Sequence, residues 1–123
     1  MTAGLQSATL LNAKVITGGG ADFTSGAVDL AGKYGAVVGG KILNGSSGPT
    51  VAGQIQIEVS YDADGTTYFN CGGAIVGGTG NNEAVHFGPI ELPMGITKVR
   101  AVCGSNTDQA VTYYANLSMV YNV

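Results

Sequence analysis

Asp62-Ala63-Asp64-Gly65 places two carboxylates one residue apart with a glycine behind them, which is how a calcium loop begins. Calcium takes carboxylate and carbonyl oxygens, and an EF-hand loop needs glycine as its sixth residue and a glutamate as its twelfth. Counted from Asp62, glycine comes fourth, and the twelfth residue is Gly73, which has no side chain to offer. The same residues serve a simpler purpose. A strand over 53–61 runs in, a strand over 66–71 runs out, and Asp64-Gly65 turns the chain with glycine in the left-handed region. The hairpin is the expected reading, with Asp62 and Asp64 kept as candidate ligands for a surface calcium.

Other reactive side chains fail to form groups. His86 is the single histidine, and a general base needs a nucleophile within hydrogen-bond reach, which no neighbour in the sequence supplies. Glu58 and Asp62, or Glu83 and Glu91, could pair as glycosidase carboxylates, but nothing selects one pair. Ile75-Val76-Gly77-Gly78 matches the mature N-terminus of trypsin-like proteases, yet no basic residue directly precedes it and no Gly-Asp-Ser-Gly follows. None of the glycine clusters leads into a helix, so none makes a phosphate loop. Cys71 and Cys103 are expected as free thiols, since the N-terminus shows no secretory leader and synthesis in a reducing cytoplasm follows. The expectation is a protein that is not an enzyme and holds no cofactor or metal.

Composition points to a different kind of work. Charged residues make up 11% of the 123, well below the roughly 25% of ordinary globular domains. A lone soluble monomer covers itself with charge. A chain this poor in ionisable groups is expected to have its surface covered by a partner or by its own copies. The formal net charge of −3 and five scattered basic residues argue against nucleic acid, which needs clustered Lys and Arg. No apolar run reaches the roughly 18 residues of a membrane span.

The period of the sequence is two almost throughout. Ile55, Ile57, Val59 and Tyr61 alternate with Gln54, Gln56, Glu58 and Ser60. Val111, Tyr113, Ala115, Leu117, Met119, Tyr121 and Val123 alternate with Thr112, Asn116, Ser118 and Asn122. Such alternation gives a strand one wet and one dry face, whereas a helix would scatter it. Further strands are expected over 8–17, 26–31, 34–43, 66–71, 84–92 and 96–103, with turn clusters between them. The stretch 34–43 is apolar on both faces and should lie centrally or against a partner. Pro89 marks an edge or a break. Eight short strands without a helix predict an all-β fold: one antiparallel β-sandwich over 1–123 with jelly-roll or Greek-key wiring. Residues 1–8 are expected as an extended N-terminal arm.

Six tyrosines could stack on sugars, but most sit at positions where core packing or a turn explains them. Tyr114 breaks the polar side of the last strand and is the candidate interface anchor. Leu5, Leu10 and Leu11 in the uncharged N-terminal stretch are the other interface candidates, suited to adding a strand to a neighbour's sheet edge.

The order of elements also carries a resemblance. Asn44-Gly45-Ser46-Ser47-Gly48-Pro49-Thr50, the long alternating strand, Asp64-Gly65-Thr66-Thr67-Tyr68, Leu92-Pro93-Met94-Gly95, Arg100-Ala101-Val102 and the last strand from Asn106 to Thr112 follow one another. Together, over residues 26–123, they resemble the small β-sandwich capsid decoration or cement proteins of tailed bacteriophages, and similar fibre and tail modules. The resemblance implies a virion component, made in the host cytoplasm, that binds a shell of major capsid protein without covalent bonds, often as a homotrimer, with another homo-oligomer as the alternative. A tail, fibre or baseplate module is one alternative and a carbohydrate-binding module another.

Overall fold

A computed structural model describes residues 3–122; Met1, Thr2 and Val123, which the sequence placed in the arm and at the end of the last strand, lie outside the described residues. The alternating segments form ten strands: β1 (Ala3–Ile16), β2 (Phe23–Thr24), β3 (Val28–Asp29), β4 (Ala36–Asn44), β5 (Gln54–Ser60), β6 (Phe69–Asn70), β7 (Ile75–Val76), β8 (Ala84–Leu92), β9 (Lys98–Gly104) and β10 (Val111–Asn122). No helix occurs among the described residues. Every strand pairing is antiparallel.

The strands make two sheets. Sheet A has the order β1-β10-β4-β8. In sheet B, β9 and β5 lie side by side, β2 and β3 both pair with β9, and β6 and β7 both pair with β5. β2 with β3, and β6 with β7, therefore act as two interrupted margin strands. Counted so, there are eight strand positions. Sheet A reads first, eighth, third, sixth; sheet B reads second, seventh, fourth, fifth. That wiring is the jelly roll. It decides between the two topologies that alternation alone left open, because periodicity reports faces and not neighbours.

The core lies between the sheets. Leu11, Val38, Ile42, Val111 and Tyr113 of sheet A meet Ile55, Ile57, Val59, Val99 and Cys103 of sheet B, each at most 1% exposed. As expected, β4 is central, between β10 and β8, and β8 with Pro89 is the margin. The β4–β8 register shifts between Val38 and Gly40, opposite Gly88-Pro89, so the ladder breaks where the proline lacks a donor.

The N-terminal segment corrects the sequence reading. Residues 3–8 are no free arm. They are the first half of β1 and pair with β10 in register from Ala3↔Asn122 to Ala8↔Leu117. Leu10 and Leu11 are core residues, 7% and 1% exposed, and so cannot anchor an interface. Two neighbours on one strand normally point to opposite faces. Here the register slips between Thr9 and Leu11, and again between Leu11 and Lys14 where Ala13 has φ 50°. A bulge inserts a residue and lets both leucines turn inward.

At one end of the sandwich a polar group is fully enclosed. The Tyr113 hydroxyl donates to Asn106 Oδ1 at 2.7 Å and lies 3.1 Å from the Gly104 carbonyl. Asn106, 1% exposed, donates in turn through Nδ2 to the carbonyls of Ile16 and Gln109. The loop after β9 is thus tied to the end of β1 by a side-chain network with no unmet partner, as burial of polar groups demands.

Candidate interaction surface

Asp62 and Asp64 sit in the connection after β5, which is longer than the tight hairpin expected, since pairing resumes at Val59↔Phe69 and not at 66. Asp62 Oδ1 accepts from the Ser60 hydroxyl at 2.8 Å and the Thr66 N–H at 3.0 Å. Oδ2 accepts from the Thr66 hydroxyl at 3.1 Å and the Thr67 N–H at 3.2 Å. Gly65 stands at φ 64° and its N–H bonds back to the Asp62 carbonyl at 3.2 Å. Four donor hydrogens aimed at one carboxylate make a turn scaffold. Among the described residues no three His, Cys, Asp or Glu gather as a metal-holding group.

These bonds stabilise the ionised form. The Asp62 carboxyl is held down to about 2, first by the Ser60 hydroxyl, with the Thr66 and Thr67 donors adding and burial opposing. A carboxylate whose folded value lies below its unfolded one, about 3.9, stabilises the fold fully above that pH and loses the contribution as pH falls through about 2. The melting temperature of the parent chain is therefore expected to drop more steeply between about pH 4 and pH 2 than that of Asp62→Asn. Parallel curves in a thermal scan would remove this role.

The thiols are free, as the sequence suggested. Cys103 is 1% exposed, and burial pushes its thiol up to about 11, with Lys14 opposing and Asp22 adding. Cys71 is only half-buried. Since the thiolate is the reactive form, an aromatic disulfide reagent near neutral pH should titrate one cysteine per folded chain and both after denaturation. Two rapid equivalents from the folded chain would contradict it.

The outer face of sheet B carries the ion pair. On sheet B, Glu58 of β5 lies directly opposite Arg100 of β9, with Arg100 Nε 2.7 Å from Glu58 Oε1 and the guanidinium 3.7 Å from the centre of the Tyr68 ring. Lys98 lies opposite Ser60 on the same strand pair. At the outward positions of sheet A, β1 offers Leu5, Ser7 and Thr9; β10 offers Thr112, Tyr114, Asn116, Ser118 and Val120; β4 offers Val37, Gly39, Lys41 and Leu43. Among the described outward positions of this sheet, only Lys41, His86 and Glu91 can carry charge.

This face is furrowed. A groove of about 500 Å³ crosses all four strands, with Gly39 and Asn116 in its floor and Pro89 on its rim. A second of about 450 Å³ runs on from it, lined by Leu5, Tyr34, Glu91 and Val120. Val37 and Ser118 line both, so the two are one furrow. Leu5 is 74% exposed. Tyr114 lies on this face, with the Lys41 ammonium 4.8 Å from its ring centre. The structure thus brings Leu5 and Tyr114, among the nominated interface residues, to one surface, and leaves Leu10 and Leu11 behind it.

Alternation alone did not show the furrow, because its floor is made by a missing side chain, Gly39, opposite Asn116. The tyrosines were also misjudged. Only Tyr113 is fully buried; Tyr34 and Tyr61 are 48% and 61% exposed. Tyr61 leaves the inward set because Ser60 before it is itself buried, which breaks the period at the strand end. Arg100 covers Tyr68 and Lys41 lies over Tyr114, while Tyr61 and Phe69, both exposed, stand with ring centres 5.7 Å apart.

Neither the protein-family models nor the curated proteins gave a match to this chain. Solved structures did. Over 97% of its length the chain superposes with TM-score 0.61 and 16% identity on a structure of the Gx strain of infectious bursal disease virus. It superposes over 98% with TM-score 0.60 and 16% identity on the VP2 subviral particle of that virus, and over 98% with TM-score 0.60 and 15% identity on its T13 viral particle. The chain spans about one third of those chains, 32%, 32% and 31% respectively. The shared feature is the fold, and these neighbours are particle proteins of infectious bursal disease virus, where the sequence resemblance pointed to decoration proteins of tailed bacteriophages. By its architecture the chain is a jelly-roll β-sandwich, a fold it shares with these viral particle proteins.

Proposed function

We propose that this protein is a structural component of a virion, a decoration or cement protein that lies on the outside of an assembled shell with the outer face of sheet A against its protein neighbours. The observation that carries the reading is the furrow on the outer face of sheet A, whose lining is neutral apart from Glu91. A neutral, uneven surface with Thr, Ser and Asn hydroxyl and amide groups can be desolvated against protein at low cost, because few ions must be stripped of water. The likeness in fold to capsid sandwiches supports the same reading. The role proposed is one of binding.

A protein that binds only the assembled shell shifts the equilibrium towards it, and many weak sites on one lattice act together. Shells purified with and without the protein test this. Those carrying it are expected to withstand higher temperature and to show it at regular surface positions by electron microscopy. Equal heat tolerance and no added density would overturn the reading. A few copies at one vertex would instead indicate a tail, fibre or baseplate module.

A further inference from the structure

Sheet margins expose unpaired N–H and C=O groups that invite another strand, and folded proteins blunt them with proline, charge, bulges or brevity. Three of the four margins here are blunted. β8 carries Pro89, a register break, His86 and Glu91. The margins of sheet B are the two-residue strands β2, β3, β6 and β7.

β1 differs. Its second half has the two bulges and Lys14, but Ala3 to Thr9 pairs with β10 in unbroken register. That stretch has no proline and no ionisable side chain. Leu5, Gln6, Ser7 and Thr9 are exposed, and beyond the pairing with β10 no backbone hydrogen bond from 3–9 is found among the described residues. In an antiparallel strand the groups not bonded to one neighbour point away from it, ready for a second.

We infer that β1 of one chain pairs antiparallel with β1 of a second copy across a two-fold axis, so that two A sheets become one eight-stranded sheet. A strand meeting its own copy needs only a surface that tolerates itself, and a two-fold contact is self-complementary in this way. From Ala3 to Ala13 no ionisable residue occurs, so no like charges face each other in any register. Leu5 points to the outer face, and pairing continues the outer face of sheet A across the axis. A head-to-tail ring would need β1 to meet β8, whose proline and charges refuse it. The unit is a dimer, where the bacteriophage resemblance implied a trimer. The inference does not depend on the shell reading and holds for the free protein.

Sedimentation of the full chain at tens of micromolar is expected to give twice the 12.3 kDa of one copy. Leu5→Lys with Ser7→Lys places cations against their own copies at the pairing edge, and should return the single-chain mass with the circular dichroism of the folded parent. Leu5→Cys, Gln6→Cys and Ser7→Cys, each with Cys71→Ser, then report the register: the residue on the axis meets its own copy and gives a covalent dimer on mild oxidation. A parent chain that sediments as one copy or as a trimer overturns the inference, as does a double-lysine variant that stays dimeric. Should that variant fail to fold, the cysteine series decides: no cross-link above the Cys71→Ser control at any of the three positions overturns it equally.

Discussion

Tyr113→Ala is expected to leave the chain largely unfolded at room temperature. Tyr113 is the largest fully buried side chain, 0% exposed, and it fills the end of the core where Gly53 comes too close to its hydroxyl for any side chain of its own. Removing a buried aromatic ring costs about 3–5 kcal/mol in transfer and cavity terms. The Asn106 Oδ1 acceptor then also loses its donor inside the protein, which adds a desolvation cost of about 1–3 kcal/mol. A domain of this size has about 5–15 kcal/mol in total. Tyr113→Phe separates the two contributions: it keeps the ring and should cost only the second, about 1–3 kcal/mol. Urea titration followed by circular dichroism reads both variants. A Tyr113→Ala midpoint close to the parent's would mean that the enclosed network contributes little.

Gly40→Ala is the second large effect, for a backbone reason. Gly40 pairs with Ala115 in the middle of sheet A. A Cβ built at Gly40 would fall inside the contact radius of the Tyr114 carbonyl oxygen and press on the Ala115 Cα. The obstacle is main chain in a central strand pair, so no rotamer change relieves it. β4 and β10 would have to separate in the sheet that carries the furrow. A loss above about 4 kcal/mol is expected, in the class reserved for overpacking and strain. Gly45→Ala is the control, since nothing lies within 4 Å of a Cβ there, and it should stay within about 0.5 kcal/mol of the parent. Should Gly40→Ala melt alongside that control, the close approach of the two strands is not as described.

These positions also show what alternation could and could not reveal. Ile55, Ile57 and Val59 keep a strict period of two and are all buried, so β5 is legible directly. All eight expected segments occupy the eight jelly-roll positions, and 84–92 matches β8 end to end. The wiring was not legible, because which strands lie side by side depends on long-range pairing that leaves no local trace. The margin strands of sheet B were read as single runs or missed. β2 and β7 are two residues long, too short for any period to show.

The interface candidates divide for a related reason. Tyr114 is placed by counting along a regular strand, and it reaches the outer face. Leu5, Leu10 and Leu11 are placed by composition, as apolar residues of an uncharged segment; Leu5 reaches the outer face, and a bulge carries the other two inward. One inserted residue reverses the facing of everything beyond it, and Leu10-Leu11-Asn12-Ala13 gives no warning that the insertion falls there.

The place of β10 has a temporal consequence. It lies between β1 and β4 and bonds to both, yet it is synthesised after them. Until those twelve residues emerge, β1 has no partner in sheet A and the sheet lacks its middle. Closure must wait for the whole domain to be synthesised, and it joins segments about as far apart in sequence as the chain allows, which makes for slow acquisition of the native state. During that interval the uncharged leading segment is exposed to its counterparts on neighbouring nascent chains.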